Sequence, residues 1–259
     1  HIHPGPEEIG KIYKPNIGIV SNPINFIKSL KNTIENLSNT DFFKKENNCG
    51  SLHKNYLEWG DQNFLSPNSG VDLTKCIREL KSEIDENTII TNGAGNYAVW
   101  VHRLFRFTQT KTQLAPISGS MGYGVPAAIA AKLRFKNSNV IAFAGDGCFQ
   151  MTHNEFATAV QFNAGIVIIV VDNEMYGTIR MHQHKNYQGK YKHTGLKNPD
   201  FAKFADAMGG IGISVDNTDE FIDKFRTAKK WSDKNNLPSL LHLKTGQEMV
   251  LPGKRFDQI

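Results

Sequence analysis

Two short polar groups stand where chemistry is possible. Gly145, Asp146 and Gly147 close an apolar run, Val140 to Ala144, and Asp172, Asn173 and Glu174 close another, Ile166 to Val171. Runs of that length ending in a turn read as buried strands. Between them Phe156, Ala159, Val160 and Asn163 recur at helical spacing. In a strand, helix, strand unit with a right-handed crossover, the two strands lie side by side with their carboxyl ends at one edge. Asp146 and Asn173 therefore arrive together. A carboxylate and an amide oxygen make a hard-oxygen half-site suited to Mg²⁺ or Ca²⁺, and the flanking glycines let an anion approach the backbone. Magnesium commonly takes its remaining ligands from water and substrate phosphates, and the N–H groups of the next helix start favour an anion. The same residues also suit an ordinary βαβ unit whose aspartate caps a turn.

Gly-Asp-Gly, a spacer, and an asparagine at the end of the next strand together resemble the diphosphate and metal motif of thiamine diphosphate enzymes, and the surrounding residues resemble the acetolactate synthase group. The resemblance implies thiamine diphosphate with Mg²⁺. It implies the Asp146 and Asn173 side chains and the Met175 backbone carbonyl as metal ligands, with Gly145, Gly147, Cys148, Tyr176 and Gly177 around the cofactor. In NGAGNY, the residues Gly95, Asn96 and Tyr97 stand where the family has Gly, Gln and His against the diphosphate. In PISGSMGYGVPAAIAA, glycines precede a helix rich in small residues, without the spacing of a dinucleotide site. A methionine there would ordinarily fill core space. The resemblance instead makes Met121 the wedge that bends the cofactor, the Gly119 carbonyl an acceptor for its pyrimidine amino group, and Ser120 part of the same loop.

Two departures from the family matter. Acetolactate synthases usually carry a tryptophan near the active site where this chain has His182, and Cys148 replaces the usual Ser or Ala. The stretch after Gly177, TIRMHQHKNYQGKYKHTG, is polar and aromatic. Its His182 and His184 would suit zinc, but no third ligand is evident. We read it as a mobile active-site loop, with His182 as the catalytic candidate; the same residues would also suit a plain solvated surface.

The elements that must position these residues follow in order. From Asp72, the residues Leu73, Cys76, Ile77, Leu80 and Ile84 share a helical face, and Thr88 to Thr91 supply a strand. Later come a helix with Phe201, Phe204, Ala205 and Met208, a strand from Ile211, a helix with Phe221, Ile222, Phe225 and Trp231, and a strand at Leu240 to Leu243. This alternation predicts an α/β fold: a doubly wound, mainly parallel sheet with helices on both faces. The opening HIHPGPEEIGKIYKPNIGIV, with a strand at Ile17 to Val20 and a helix from Pro23, resembles the closing segment of a middle domain; it would also suit a peripheral strand and helix native to this domain. The expected division is residues 1–38 as that tail, 39–71 as a linker with one short helix, and 72–259 as the diphosphate-binding domain.

The chain has 259 residues, 39% apolar and 21% charged, as in ordinary globular proteins. Its net charge of +5 comes from scattered lysines and forms no stripe, which argues against a nucleic-acid surface. Cys49, Cys76 and Cys148 lack CxxC spacing and suit a reducing compartment, so cytoplasm is expected. No apolar run approaches the roughly 18 residues of a membrane span. The expected function is the cofactor-anchoring C-terminal part of an enzyme acting on 2-oxo acids, with acetolactate-synthase-like carboligation after decarboxylation. A 2-oxo acid decarboxylase and a non-catalytic regulatory module are the alternatives. In this family the glutamate that activates the cofactor comes from a separate amino-terminal domain across a dimer interface, and neither Glu155 nor Glu174 resembles it. The chain is thus expected to be a fragment, inactive alone, whose missing amino-terminal and middle domains complete a homodimer or homotetramer.

Overall fold

Four aliphatic runs supply the centre of the sheet. In the computed structural model, which describes residues 1–37, 49–187 and 189–259, β3 (Ile89–Asn92), β5 (Val140–Gly145) and β6 (Val167–Asp172) are buried throughout, and β8 (Ser239–Lys244) is buried except for its last residue. Strands covered on both faces read as continuous apolar runs, as these do. Short β4 (Gln113–Leu114) and half-buried β7 (Ile211–Val215) form the edges, and the order is β4-β3-β5-β6-β8-β7. Every pairing in this sheet is parallel, as expected. The chain moves outward from β3 to β4, then returns to place β5 on the other side, so the carboxyl ends of β3 and β5 flank the topological switch point where such sheets bind ligands.

Helices cover both faces. α3 (Leu73–Glu83) buries Cys76, Ile77 and Leu80, the face expected from spacing, and Asp72 caps it by accepting from the N–H groups of Thr74 at 2.9 Å and Lys75 at 3.3 Å. It packs with α4 (Asn96–Leu104) and α10 (Phe221–Asn235). α5 (Gly124–Arg134) packs with both α6 (Asp146–Thr152) and α7 (Glu155–Gln161), and α9 (Phe201–Ala207) packs on β7 and β8. The crossover from β5 to β6 is therefore two helices, where spacing suggested one. Phe149 anchors the first of them: fully buried, it meets Phe201 and Phe204 edge-on with ring centroids 5.3 and 5.9 Å away. The antiparallel pair β9 (Met249–Leu251) and β10 (Lys254–Arg255) is too short to show a pattern in sequence.

The chain forms two compact units, His1–Leu57 and Glu58–Ile259. In the first, β1 (Ile2–His3) pairs parallel with β2 (Ile19–Val20), a strand shorter than the expected Ile17 to Val20, and α1 (Pro23–Leu37) follows. α1 leaves Ile24, Ile27, Leu30, Ile34 and Leu37 exposed. The short helix expected between 39 and 71 is α2 (Cys49–Asp61), which begins in the first unit and ends in the second. Residue 38 of the expected tail and residues 39–48 of the expected linker lie outside the described residues. One helix corrects the reading of the stretch after Gly177: α8 (Gly177–Asn186) is regular where a loop was expected. It buries no residue fully, so no apolar face announced it.

Candidate functional site

The register of β5 on β6 pairs Gly145 with Val171, so Asp146 and Asp172 leave the sheet side by side. Asp146 is the first residue of α6, is 3% exposed, and accepts hydrogen bonds at Oδ1 from the Gly147 N–H and at Oδ2 from Asn198 Nδ2, each at 2.8 Å. Burial pushes its carboxyl up to about 7, because a desolvated charge is costly and these few donors only partly offset it. Asp172, 6% exposed, also suffers burial, but its donors outweigh it: His242 Nε2 at 2.8 Å, the Glu174 N–H at 3.0 Å and Asn198 Nδ2 at 2.6 Å hold it below the usual carboxylate range.

Past β6 the chain turns sharply, with Glu174 in the left-handed region at φ 53°. Asn173 Oδ1 accepts from the Met175 N–H at 3.3 Å, and the Met175 carbonyl accepts from the Gly177 N–H at 3.0 Å. A strap from the following segment clamps this turn: the Tyr176 N–H donates to the Thr194 carbonyl at 2.8 Å, and the Leu196 N–H to the Glu174 carbonyl at 2.7 Å.

A cavity of about 240 Å³ opens over these strand ends. The loop after β3 gives it Gly95, Asn96 and Tyr97; the loop before α5, Gly119 and Met121; the β5 end, Gly145, Asp146, Gly147 and Cys148; and the β6 end, Asn173, Met175, Tyr176 and Gly177. Sequence reasoning named all of these, and the fold brings them to one place. Ser120 does not line the cavity; its hydroxyl shares a 2.8 Å hydrogen bond with Ser118. His182 lies exposed on α8, also outside the lining. No group of three His, Cys, Asp or Glu able to hold a metal occurs among the described residues.

Several details suit an anion joined to a divalent cation. Asn96 Oδ1 accepts from the Thr178 hydroxyl at 2.7 Å, while its Nδ2, buried at the cavity, has no partner among the described residues. A buried donor left empty is costly, and an anionic oxygen would satisfy it. At Gly147 a Cβ would stand 2.8 Å from the Tyr176 ring, so only glycine permits this wall. Asp146, Asn173 and the Met175 carbonyl supply three hard oxygen-bearing groups, the donor class that Mg²⁺ takes. Cys148 keeps its proton, since burial raises its pKa, and donates from Sγ to the Ala94 carbonyl at 2.6 Å. The thiol thus braces the β3 loop.

Asn198, Asp172, His242 and Thr178 were not anticipated. Asp172 stood next to Asn173 in plain view, but its role depends on donors far along the chain.

A model of the family described as "Thiamine pyrophosphate enzyme, C-terminal TPP binding domain" matches residues 93–243. The mitochondrial acetolactate synthase catalytic subunit of Aspergillus candidus is 37% identical over 182 residues, which cover 70% of this chain and 26% of that protein. The probable acetolactate synthase large subunit of Methanocaldococcus jannaschii is 29% identical over 264 residues, covering 100% of this chain and 44% of that one. The thiamine diphosphate-dependent 4-hydroxybenzoylformate decarboxylase of Rhodococcus jostii RHA1 shares the fold, with a TM-score of 0.63 at 23% identity over 71% of this chain and 34% of its own. The chain spans less than half the length of each of these proteins.

Proposed function

We propose, for a chain that belongs to the thiamine pyrophosphate enzyme family and carries its C-terminal TPP-binding domain, that the cavity at the switch point holds thiamine diphosphate by its diphosphate through Mg²⁺, within an enzyme acting on 2-oxo acids. The observation that carries this is the convergence of Asp146, Asn173 and Met175 on one cavity with the unpartnered Asn96 Nδ2.

When bound, thiamine diphosphate supplies an electron sink for the charge left as CO₂ departs from a 2-oxo acid. This chain's residues bind and orient. Asp146 contributes the negative charge, while Asn173 and the Met175 carbonyl complete the protein side of the cation. Asn96 and the backbone at the start of α6 take diphosphate oxygens. Met121 and Gly119 also line the cavity, where the Met121 side chain would pack against the cofactor and support its bend. The names of the relatives support carboligation of the acetolactate synthase kind. The activating glutamate comes from an amino-terminal domain of a partner subunit, in a homodimer or homotetramer. The buried free thiols of Cys76 and Cys148 support a reducing compartment, the cytoplasm. No helix among the described residues is long and apolar enough to cross a membrane.

Calorimetric titration tests the reading. Thiamine diphosphate binds the wild-type chain only when Mg²⁺ is present, and Asp146→Ala abolishes that binding while leaving the thermal transition in place. Unchanged binding by Asp146→Ala overturns it. With pyruvate added, the chain alone gives no turnover; robust turnover without a second polypeptide contradicts the assignment of the activating glutamate to another domain. A non-catalytic regulatory module need not bind the cofactor, so a titration without Mg²⁺-dependent binding favours that alternative.

A further inference from the structure

Asn198 lies in the segment between α8 and α9, outside the cavity lining, yet it touches both acids at the strand ends. Its Oδ1 accepts from Gln150 Nε2 at 2.7 Å. With the oxygen engaged on that side, Nδ2 faces the other way and donates to Asp146 Oδ2 at 2.8 Å and Asp172 Oδ1 at 2.6 Å. An amide nitrogen carries two hydrogens, so each carboxylate receives one. A flipped amide would set an oxygen against two carboxylates and an N–H₂ against another, so Gln150 and the acids fix a single orientation.

The two acids are unequally supplied. Both oxygens of Asp172 are taken, Oδ2 by His242 and Oδ1 by the Glu174 N–H and Asn198. Among the described residues Asp146 receives two donors, the Gly147 N–H at Oδ1 and Asn198 at Oδ2, against three for Asp172, and so keeps an additional lone pair for a cation. The two carboxylates also interact directly with each other, and without the amide they would lose the one donor they share, leaving two buried acids on adjacent strands less able to carry charge together.

We propose that Asn198 is a positioning residue for cation binding: its Nδ2, shared between Asp146 and Asp172, fixes the Asp146 carboxylate at the cavity, with Gln150 bracing the amide from its oxygen side. This rests on the reading of Asp146 as a metal ligand. Outer-shell partners of metal ligands commonly contribute about 10–100-fold to metal affinity.

The test titrates Mg²⁺ into the 259-residue chain at fixed thiamine diphosphate, alongside thermal melts of the ligand-free protein. Asn198→Ala weakens Mg²⁺ binding by about 10–100-fold. Gln150→Ala, a change at an exposed residue, weakens it by several-fold with the melting temperature unchanged, a result that a merely structural role for Asn198 would not give. Should Asn198→Ala fail to fold, Gln150→Ala decides alone. Mg²⁺ affinities within twofold of wild type, while Asp146→Ala has lost binding, overturn the positioning role and leave the cation site standing. Retained Mg²⁺-dependent binding by Asp146→Ala overturns the cation site itself, and the positioning role with it.

Discussion

Asp146 and Asp172 emerge one beyond the paired residues Gly145 and Val171 on neighbouring strands, and a single nitrogen, Asn198 Nδ2, donates to both at 2.8 and 2.6 Å. Their environments then diverge. Asp172 collects enough donors to stay ionised in a buried position, whereas Asp146 is left short and its carboxyl is pushed up. An acid with fewer donors beside an acid with more supports the proposal that Asp146 is the one to meet a cation.

The raised Asp146 value gives a pH dependence. Its folded value of about 7 lies above the ordinary 3.8, so the folded chain holds a proton that the unfolded chain has released. Stability from this group is complete at pH values below 3.8 and is lost as pH rises through about 7. The ligand-free melting temperature therefore declines between pH 5 and about 8, and Asp146→Asn flattens that decline. Mg²⁺ must displace the same proton, so its affinity falls by up to about tenfold per unit below pH 7 and levels off above it. A Mg²⁺ affinity constant from pH 6 to about 8 contradicts this.

Asn96→Ala removes the unpartnered buried donor at the cavity. A hydrogen bond to a charged group contributes about 1.5–3 kcal/mol, so affinity for thiamine diphosphate at saturating Mg²⁺ drops by about tenfold or more. Titration of the diphosphate checks it; an unchanged affinity removes Asn96 from the anion site.

Phe149 holds the start of α6 through its edge contacts to Phe201 and Phe204. Phe149→Ala lowers unfolding free energy by about 3–5 kcal/mol, measured by urea denaturation. Asp72→Ala, which deletes the cap on α3, lowers it by about 1 kcal/mol. A Phe149→Ala loss no larger than that of Asp72→Ala contradicts the packing account.

Much of this arrangement was legible in the residues. Val140 to Ala144 and Ile166 to Val171 are unbroken aliphatic runs that only a doubly covered parallel strand accommodates well, and the turns that follow them place Asp146 and Asn173 at one edge. The spacing of Cys76, Ile77 and Leu80 likewise marked the buried face of α3. Other features left no local trace. Asn198 acts on residues 52 and 26 positions away, so nothing in its neighbourhood marks it. α8 is polar or half-buried on all sides, which removes the periodicity that distinguishes a helix from a loop; Arg180, stacked 4.0 Å from the Tyr191 ring centroid, ties it to the segment beyond. β4, β9 and β10 are two or three residues long, below the length at which alternation is visible.

The most direct measurement is a crystal structure of the chain with thiamine diphosphate and Mn²⁺ standing in for Mg²⁺, the metal located by its anomalous signal. The account predicts one ion with an Asp146 carboxylate oxygen, the Asn173 side-chain oxygen and the Met175 carbonyl about 2.0–2.3 Å away. An ion bound elsewhere, or a diphosphate bound with no ion touching Asp146, contradicts it.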